Sequence, residues 1–211
     1  YHTLCGISRG KRPLFAERKY PAALEGLGWC TWEAFHTTLT SEKILTKMDE
    51  FAAMGHVPSW VLLDDGWANY NHGKLVTLTE NTEKFPEGLT PLIDKVKSLG
   101  MRFGLWFEPE MVNPDSELYR AHPDWCIHCV DRPRLRGRHQ LVLDMGNEEV
   151  INYLKDTFTK TFDGVSLDYF KWDFNRQLSQ VGSAVLPPER QGEAAHRFVL
   201  GTYRLQKWLK E

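Results

Sequence analysis

The feature that most constrains this chain is a repeated order of short apolar run, acid, loop, amphipathic helix and glycine. The runs are Leu27 to Trp32 before Glu33, Trp60 to Leu63 before Asp64-Asp65, Phe103 to Phe107 before Glu108, Leu141 to Leu143 before Asp144, and Leu167 to Trp172 before Asp173. Apolar runs this short read as strands buried on both faces. Strict alternation of strand and helix then dictates a parallel sheet with right-handed crossovers.

The helices announce themselves by their caps. Thr40-Ser41-Glu42 opens one, with Ile44, Leu45, Met48, Phe51 and Ala52 at helical spacing until Gly55 stops it. Thr90 and Pro91 open the next, with Leu92, Val96 and Leu99 on one face and Gly100 at its end. Asn147 caps a third, striped by Val150, Leu154, Phe158 and Phe162 and closed by Gly164. A last helical pattern runs from Pro187-Pro188 through Phe198, Leu205 and Trp208. Residues 68–88 read as a long polar loop over a strand end, and residues 1–25, mixing Arg, Lys, Pro and Gly, as a linker or the remnant of a preceding domain.

A parallel sheet can be open or closed. No Gly-rich phosphate loop is present, and open edges invite aggregation, so the closed form is favoured. Four or five units are about half of the eight that fill about 250 residues. The expected fold is therefore α/β, a partial (β/α)8 TIM barrel holding roughly its first four to five βα units, over 26–211.

Composition removes several classes of function. A formal net charge of -2 without basic runs gives no footprint for nucleic acid or an anionic membrane. No apolar run approaches the roughly 18 residues of a membrane span. Four cysteines in 211 residues are too sparse for a disulfide scaffold, and Cys126-x-x-Cys129 lacks the further ligands of a zinc site. With no signal peptide at the start, the expected compartment is the reducing cytoplasm.

The acids at the strand ends have indoles beside them: Trp32 with Glu33, Trp67 with Asp64-Asp65, Trp106 with Glu108, and Trp172 with Asp173. Carboxylates accept hydrogen bonds from sugar hydroxyls, and a flat aromatic covers the apolar face of a pyranose. A carbohydrate pocket is the reading. Lys171 and Asp173, two apart along a strand, point the same way, and the cation favours an ionised carboxylate. Asp64, Asp65, Glu108, Glu110 and Asp144 could instead gather around a hard metal, but Lys171 and Arg138 compete for the same acids, so no metal and no cofactor is expected.

Leu63 to Trp67 (LDDGW), Phe103 to Val112 (FGLWFEPEMV), His122 to Trp125 (HPDW), Gln140 to Asp144 (QLVLD), Lys171 to Arg176 (KWDFNR) and Leu186 to Gly192 (LPPERQG) together resemble glycoside hydrolase family 36, the α-galactosidases. The resemblance runs from about Gly28 to the end of the chain. Gly28 to Phe35 (GWCTWEAF) is more similar to the raffinose-synthase branch of the same family. The family resemblance as a whole implies retaining hydrolysis of terminal α-1,6-linked galactose, with Asp173 as nucleophile. Asp64, Asp65, Trp106, Arg138, Lys171 and Asn175 would bind the sugar. The partner implied is an α-galactoside oligosaccharide such as melibiose or raffinose. A homo-oligomer stays an open option for a full-length protein. The family's acid/base aspartate belongs to a later motif that this sequence does not contain, so the chain is expected to supply the nucleophile half of the site and to be inactive alone. A galactosyltransferase of the raffinose-synthase kind and a catalytically incomplete galactoside-binding fragment are the alternatives.

Overall fold

The computed structural model describes residues 15–72 and 74–211, so the expected linker lies outside the described residues as far as residue 14. Four strands form one parallel sheet in the order β1 (Gly28–Cys30), β2 (Trp60–Leu63), β5 (Arg102–Phe107), β8 (Tyr169–Trp172). The register places Gly28 beside Trp60, Leu62 beside Gly104, and Trp106 beside Lys171. The carboxyl ends therefore lie along one rim, where Thr31, Asp64, Glu108 and Asp173 follow the strands. This is the partial barrel that the alternation dictated, with four units.

The helices follow their caps. Helix α1 (Trp32–Phe35) is one turn, and α2 (Ser41–Ala53) begins where the Thr40 hydroxyl accepts the Lys43 N–H at 3.3 Å. Helix α3 (Thr90–Ser98) has Leu89 at its cap position, with Thr90 and Pro91 opening its first turn. The short α4 (Glu117–Ala121) leads to α5 (Glu148–Thr161), whose cap Asn147 accepts the Glu149 N–H at 3.0 Å. Helix α6 (Ala194–Trp208) follows a 3-10 segment at Pro188–Glu193.

Three expectations need correction. Leu141–Val142 is not a barrel strand: as β7 it pairs antiparallel with β6 (Met111–Val112), outside the parallel sheet. Its apolar run is buried against α5 and α6, so burial imitated a fifth unit. Residues 68–88 contain an antiparallel hairpin, β3 (Ala68–Asn71) and β4 (Lys74–Glu80), whose polar outward residues hid the alternation. Finally, Glu33 does not end a strand. It lies exposed in α1.

Two apolar cores hold the layers together. One joins β2 and β5 to α2 and α3 through Leu63, Phe103, Ile44, Met48, Leu92 and Val96. The other packs Phe158, Leu154, Phe198 and Leu205 beneath Phe107. Full burial of such side chains stabilises by about 1.5–3 kcal/mol each. The face of the sheet turned from the helices is filled by rings lying over glycines: a Cβ on Gly104 would stand 2.1 Å from the Tyr169 ring. Tyr169 in turn donates to the Val61 carbonyl at 3.1 Å. Strand β8 is only half-buried, because it forms one edge of the sheet.

Candidate active site

The end of β2 places two adjacent carboxylates differently. Asp64 is buried, its N–H donates to the Thr31 hydroxyl at 3.0 Å, and its Oδ1 accepts the Asp65 N–H at 2.9 Å. Its Oδ2 accepts from Lys171 Nζ at 2.9 Å and from the Cys30 thiol at 3.2 Å. Asp65 turns the other way and accepts from the Tyr70 hydroxyl on the β3 hairpin. The turn beyond is tight: Gly66, at φ +107°, lies so close to Thr37 that a Cβ would be 2.7 Å from its Cα. Trp67, wholly buried, anchors this turn by donating to the Trp106 carbonyl at 2.8 Å.

Strand β5 supplies Trp106, whose indole N–H donates to Asp173 Oδ2 at 3.1 Å. Two residues on, buried Glu108 accepts from Arg138 and, at 2.6 Å, from Asn175. Lys171 Nζ stands 4.0 Å from Asp173 Oδ2, so the lysine's closer partner is Asp64, and the expected Lys171–Asp173 pairing is the looser of its two. One ammonium nevertheless reaches both acids, which keeps the Asp64 and Asp173 carboxylates in one small space.

These groups enclose a cavity of about 450 Å³, lined by Trp32, Asp64, Asp65, Trp106, Gly137, Arg138, Lys171, Asp173, Asn175 and Arg176. Small-molecule sites fall at about 300–1,000 Å³. All seven residues singled out in the sequence line it. Trp32, read from the sequence as one of the indoles beside the strand-end acids, lines it as well, whereas the sequence reading gives Gly137 and Arg176 no place in the site. Glu108, which holds Arg138 and Asn175, and Tyr70, which holds Asp65, are not read as anchors from the sequence. The metal grouping does not assemble: Asp144 bonds Ser183 and the Gly146 N–H, Glu110 accepts the Trp172 indole, and Arg138 occupies Glu108. Among the described residues no three His, Cys, Asp or Glu side chains come together to hold a metal ion.

The electrostatics separate these acids. Partial burial alone would raise the Asp173 pKa, but hydrogen bonds from Trp106 and Asn175 and the charges of Lys171 and Arg138 hold it below the ordinary aspartate value. Burial likewise opposes the charge on Lys171, yet Asp64 keeps its pKa above the usual lysine value. Burial pushes the Cys30 thiol up to about 11, leaving it a neutral donor to Asp64. An ionised, accessible carboxylate among fixed donors can attack an electrophilic carbon or accept from a hydroxylated ligand.

The Melibiase family profile matches residues 3–211. This chain belongs to the melibiase family. Melibiase relatives agree closely in sequence and shape. α-Galactosidase AgaA of Geobacillus stearothermophilus is 43% identical over 208 residues, 97% of this chain and 27% of AgaA. A crystal structure of an AgaA variant in complex with raffinose superposes with a TM-score of 0.79 at 42% identity, covering 93% of this chain and 27% of that one. Another AgaA variant, in complex with 1-deoxygalactonojirimycin, gives 0.76 with the same identity and coverage. The chain thus spans about a quarter of the length of these melibiase relatives, and the glycoside hydrolase family 36 resemblance read from its motifs stands. Among the described residues, no helix is long and apolar enough to cross a membrane.

Proposed function

We propose that this chain forms the nucleophile half of a retaining α-galactosidase site for terminal α-1,6-linked galactosides of the melibiose and raffinose kind. The observation that carries the reading is Asp173. Its carboxylate is held ionised beside Trp106 and Lys171 and lines the same cavity as the Asp64–Asp65 pair. Asp65 and the outward side of Asp64 accept galactose hydroxyls, Lys171, Arg138 and Asn175 donate to sugar oxygens, and Trp106 walls the ring.

In this reading an Asp173 oxygen attacks the anomeric carbon as the glycosidic C–O bond breaks, giving a galactosyl ester. Water then displaces the carboxylate with net retention. The leaving oxygen must receive a proton from a second carboxyl about 5–5.5 Å from the nucleophile. Asp64 is taken by Lys171, Asp65 by Tyr70, and Glu108 by Arg138 and Asn175. We assign the acid/base to residues outside this sequence. The cytoplasmic setting belongs to the same reading, supported by the free thiols of Cys30, Cys126 and Cys129.

A substrate whose leaving group needs no proton separates the two halves of the chemistry. With 2,4-dinitrophenyl α-galactoside, the chain is expected to release a burst of dinitrophenolate and keep one galactosyl group on Asp173, seen by mass spectrometry of the peptide. Without the general base, hydrolysis of that ester is slowed by about 10²–10⁴-fold, so the ester accumulates. Asp173→Asn abolishes the burst. A burst retained in that variant overturns the assignment, and binding with no covalent product favours a galactoside-binding role instead.

A further inference from the structure

Arg138 enters the cavity on a turn that its own sequence disfavours. Gly137 and Gln140 exchange two backbone hydrogen bonds, N–H to carbonyl at 3.1 and 2.9 Å, closing a two-residue hairpin over Arg138 and His139. Both central residues are left-handed, at φ +52° and +63°. That is the geometry of a type I′ turn, for which Asn-Gly and Gly-Gly are preferred and residues with a longer side chain are strained.

Something must hold it, and the holding group is near at hand. The Arg176 guanidinium donates from Nη1 to the Gln140 carbonyl at 2.9 Å and to the Gly137 carbonyl at 3.3 Å, and from Nη2 to the Leu135 carbonyl at 3.0 Å. Gly137 lies flat on it, since a Cβ there would come within 2.6 Å of Nη1. Arg176 follows Asp173 and Asn175 in the same strand exit, so one short segment carries the candidate nucleophile and the anchor of the opposing wall.

We propose that Arg176 is a positioning residue for sugar binding: it holds the strained Gly137–Gln140 turn that delivers Arg138 to the cavity. The assignment rests on the galactoside reading above. Glu108 meets the Arg138 head from inside, and Arg176 fixes the backbone from which that side chain starts. A planar guanidinium can bridge three carbonyls; a lysine ammonium on a flexible stem lacks that fork.

The test is calorimetric titration with 1-deoxygalactonojirimycin, with thermal melting of each variant as a fold control. Arg176→Gln is expected to weaken binding by about tenfold, the loss of one charge-assisted contact made through Arg138. Adding His139→Gly, which removes strain at the second turn position, restores most of that loss. In an Arg138→Met background, Arg176→Gln changes affinity by less than about twofold, because the residue it positions is gone. If Arg176→Gln does not fold, Arg176→Lys shows the same rescue with a smaller loss. Unchanged affinity, an equal loss in the Arg138→Met background, or no rescue by His139→Gly overturns the proposal. Failure of the unaltered protein to bind the iminosugar, seen before any substitution, overturns the galactoside reading and the proposal with it.

Discussion

Glu110→Gln should flatten the acid-to-neutral dependence of stability. Glu110 is fully buried; its Oε2 accepts the Trp172 indole N–H at 2.6 Å, and its Oε1 has no hydrogen-bond partner among the described residues. Burial first, with the nearby Glu108 charge, pushes its carboxyl up to about 7, against the opposing effects of its own backbone N–H, Trp172 and Arg138. In the unfolded chain it ionises near the ordinary 4.5. Between those values the folded protein holds a proton that the unfolded chain has released, so stability is full below pH 4.5 and is lost as pH rises through about 7. At about 1.4 kcal/mol per pKa unit the loss is about 3 kcal/mol. Glutamine keeps an acceptor for Trp172 and carries no proton to lose. Urea denaturation at a series of pH values should therefore give two curves that converge near pH 4.5 and separate by about 3 kcal/mol near pH 8, the variant being the more stable. Burial also raises the Asp144 pKa, but that group is common to both proteins and cancels in the difference. Parallel curves would refute the reasoning.

Tyr70→Phe removes the hydroxyl that Asp65 accepts from. Losing one such bond corresponds to about 1 kcal/mol, so calorimetry should show galactose binding weakened by about fivefold with the melting temperature little changed, and an unaltered affinity would remove Tyr70 from the site. Gly201→Ala places a Cβ 1.6 Å from the Met145 carbonyl oxygen, where α6 crosses the start of α5. The clash outweighs alanine's better helix propensity, and thermal denaturation should show a net loss of about 1–3 kcal/mol.

Much of this was legible because barrel chemistry obeys position. An acid directly after a buried strand falls on the carboxyl rim whatever the loops do, so Asp64 and Asp173 could be placed from the runs before them and Lys171 from the parity of a strand, whereas the places of Trp106, Arg138 and Asn175 came from the family resemblance. What failed was local. Leu141 to Leu143 is as apolar as a barrel strand, and only its pairing with Met111–Val112 shows that it belongs to a side sheet. Trp32 reaches the cavity because α1 starts at once after Thr31, whereas Glu33, one residue on, turns to solvent. Arg176 was invisible as an anchor because its partners are carbonyl groups about forty residues away, and backbone acceptors leave no trace in residue type. The paired glutamates of β5's extension looked alike in sequence, yet one faces the cavity donors and the other an indole.

That last contrast points to a division of labour among the rim acids. Asp64 and Glu108 have side chains only 5% exposed, and each meets a cation that lines the cavity, Lys171 or Arg138. A buried carboxylate in such a pair contributes little net stability, because its desolvation offsets most of the attraction. What it does is fix where the cation's remaining donors point. Asp173 is 37% exposed and its nearest cation is 4.0 Å away. It is ionised without being neutralised by a close partner, the condition a nucleophile needs and an anchor does not. In the proposed reading the rim uses the same side-chain chemistry for two ends, and partner distance with burial, not residue type, separates the proposed nucleophile from the anchors. Removing an anchor should consequently disturb binding through Lys171 or Arg138 while leaving the Asp173 carboxylate ionised.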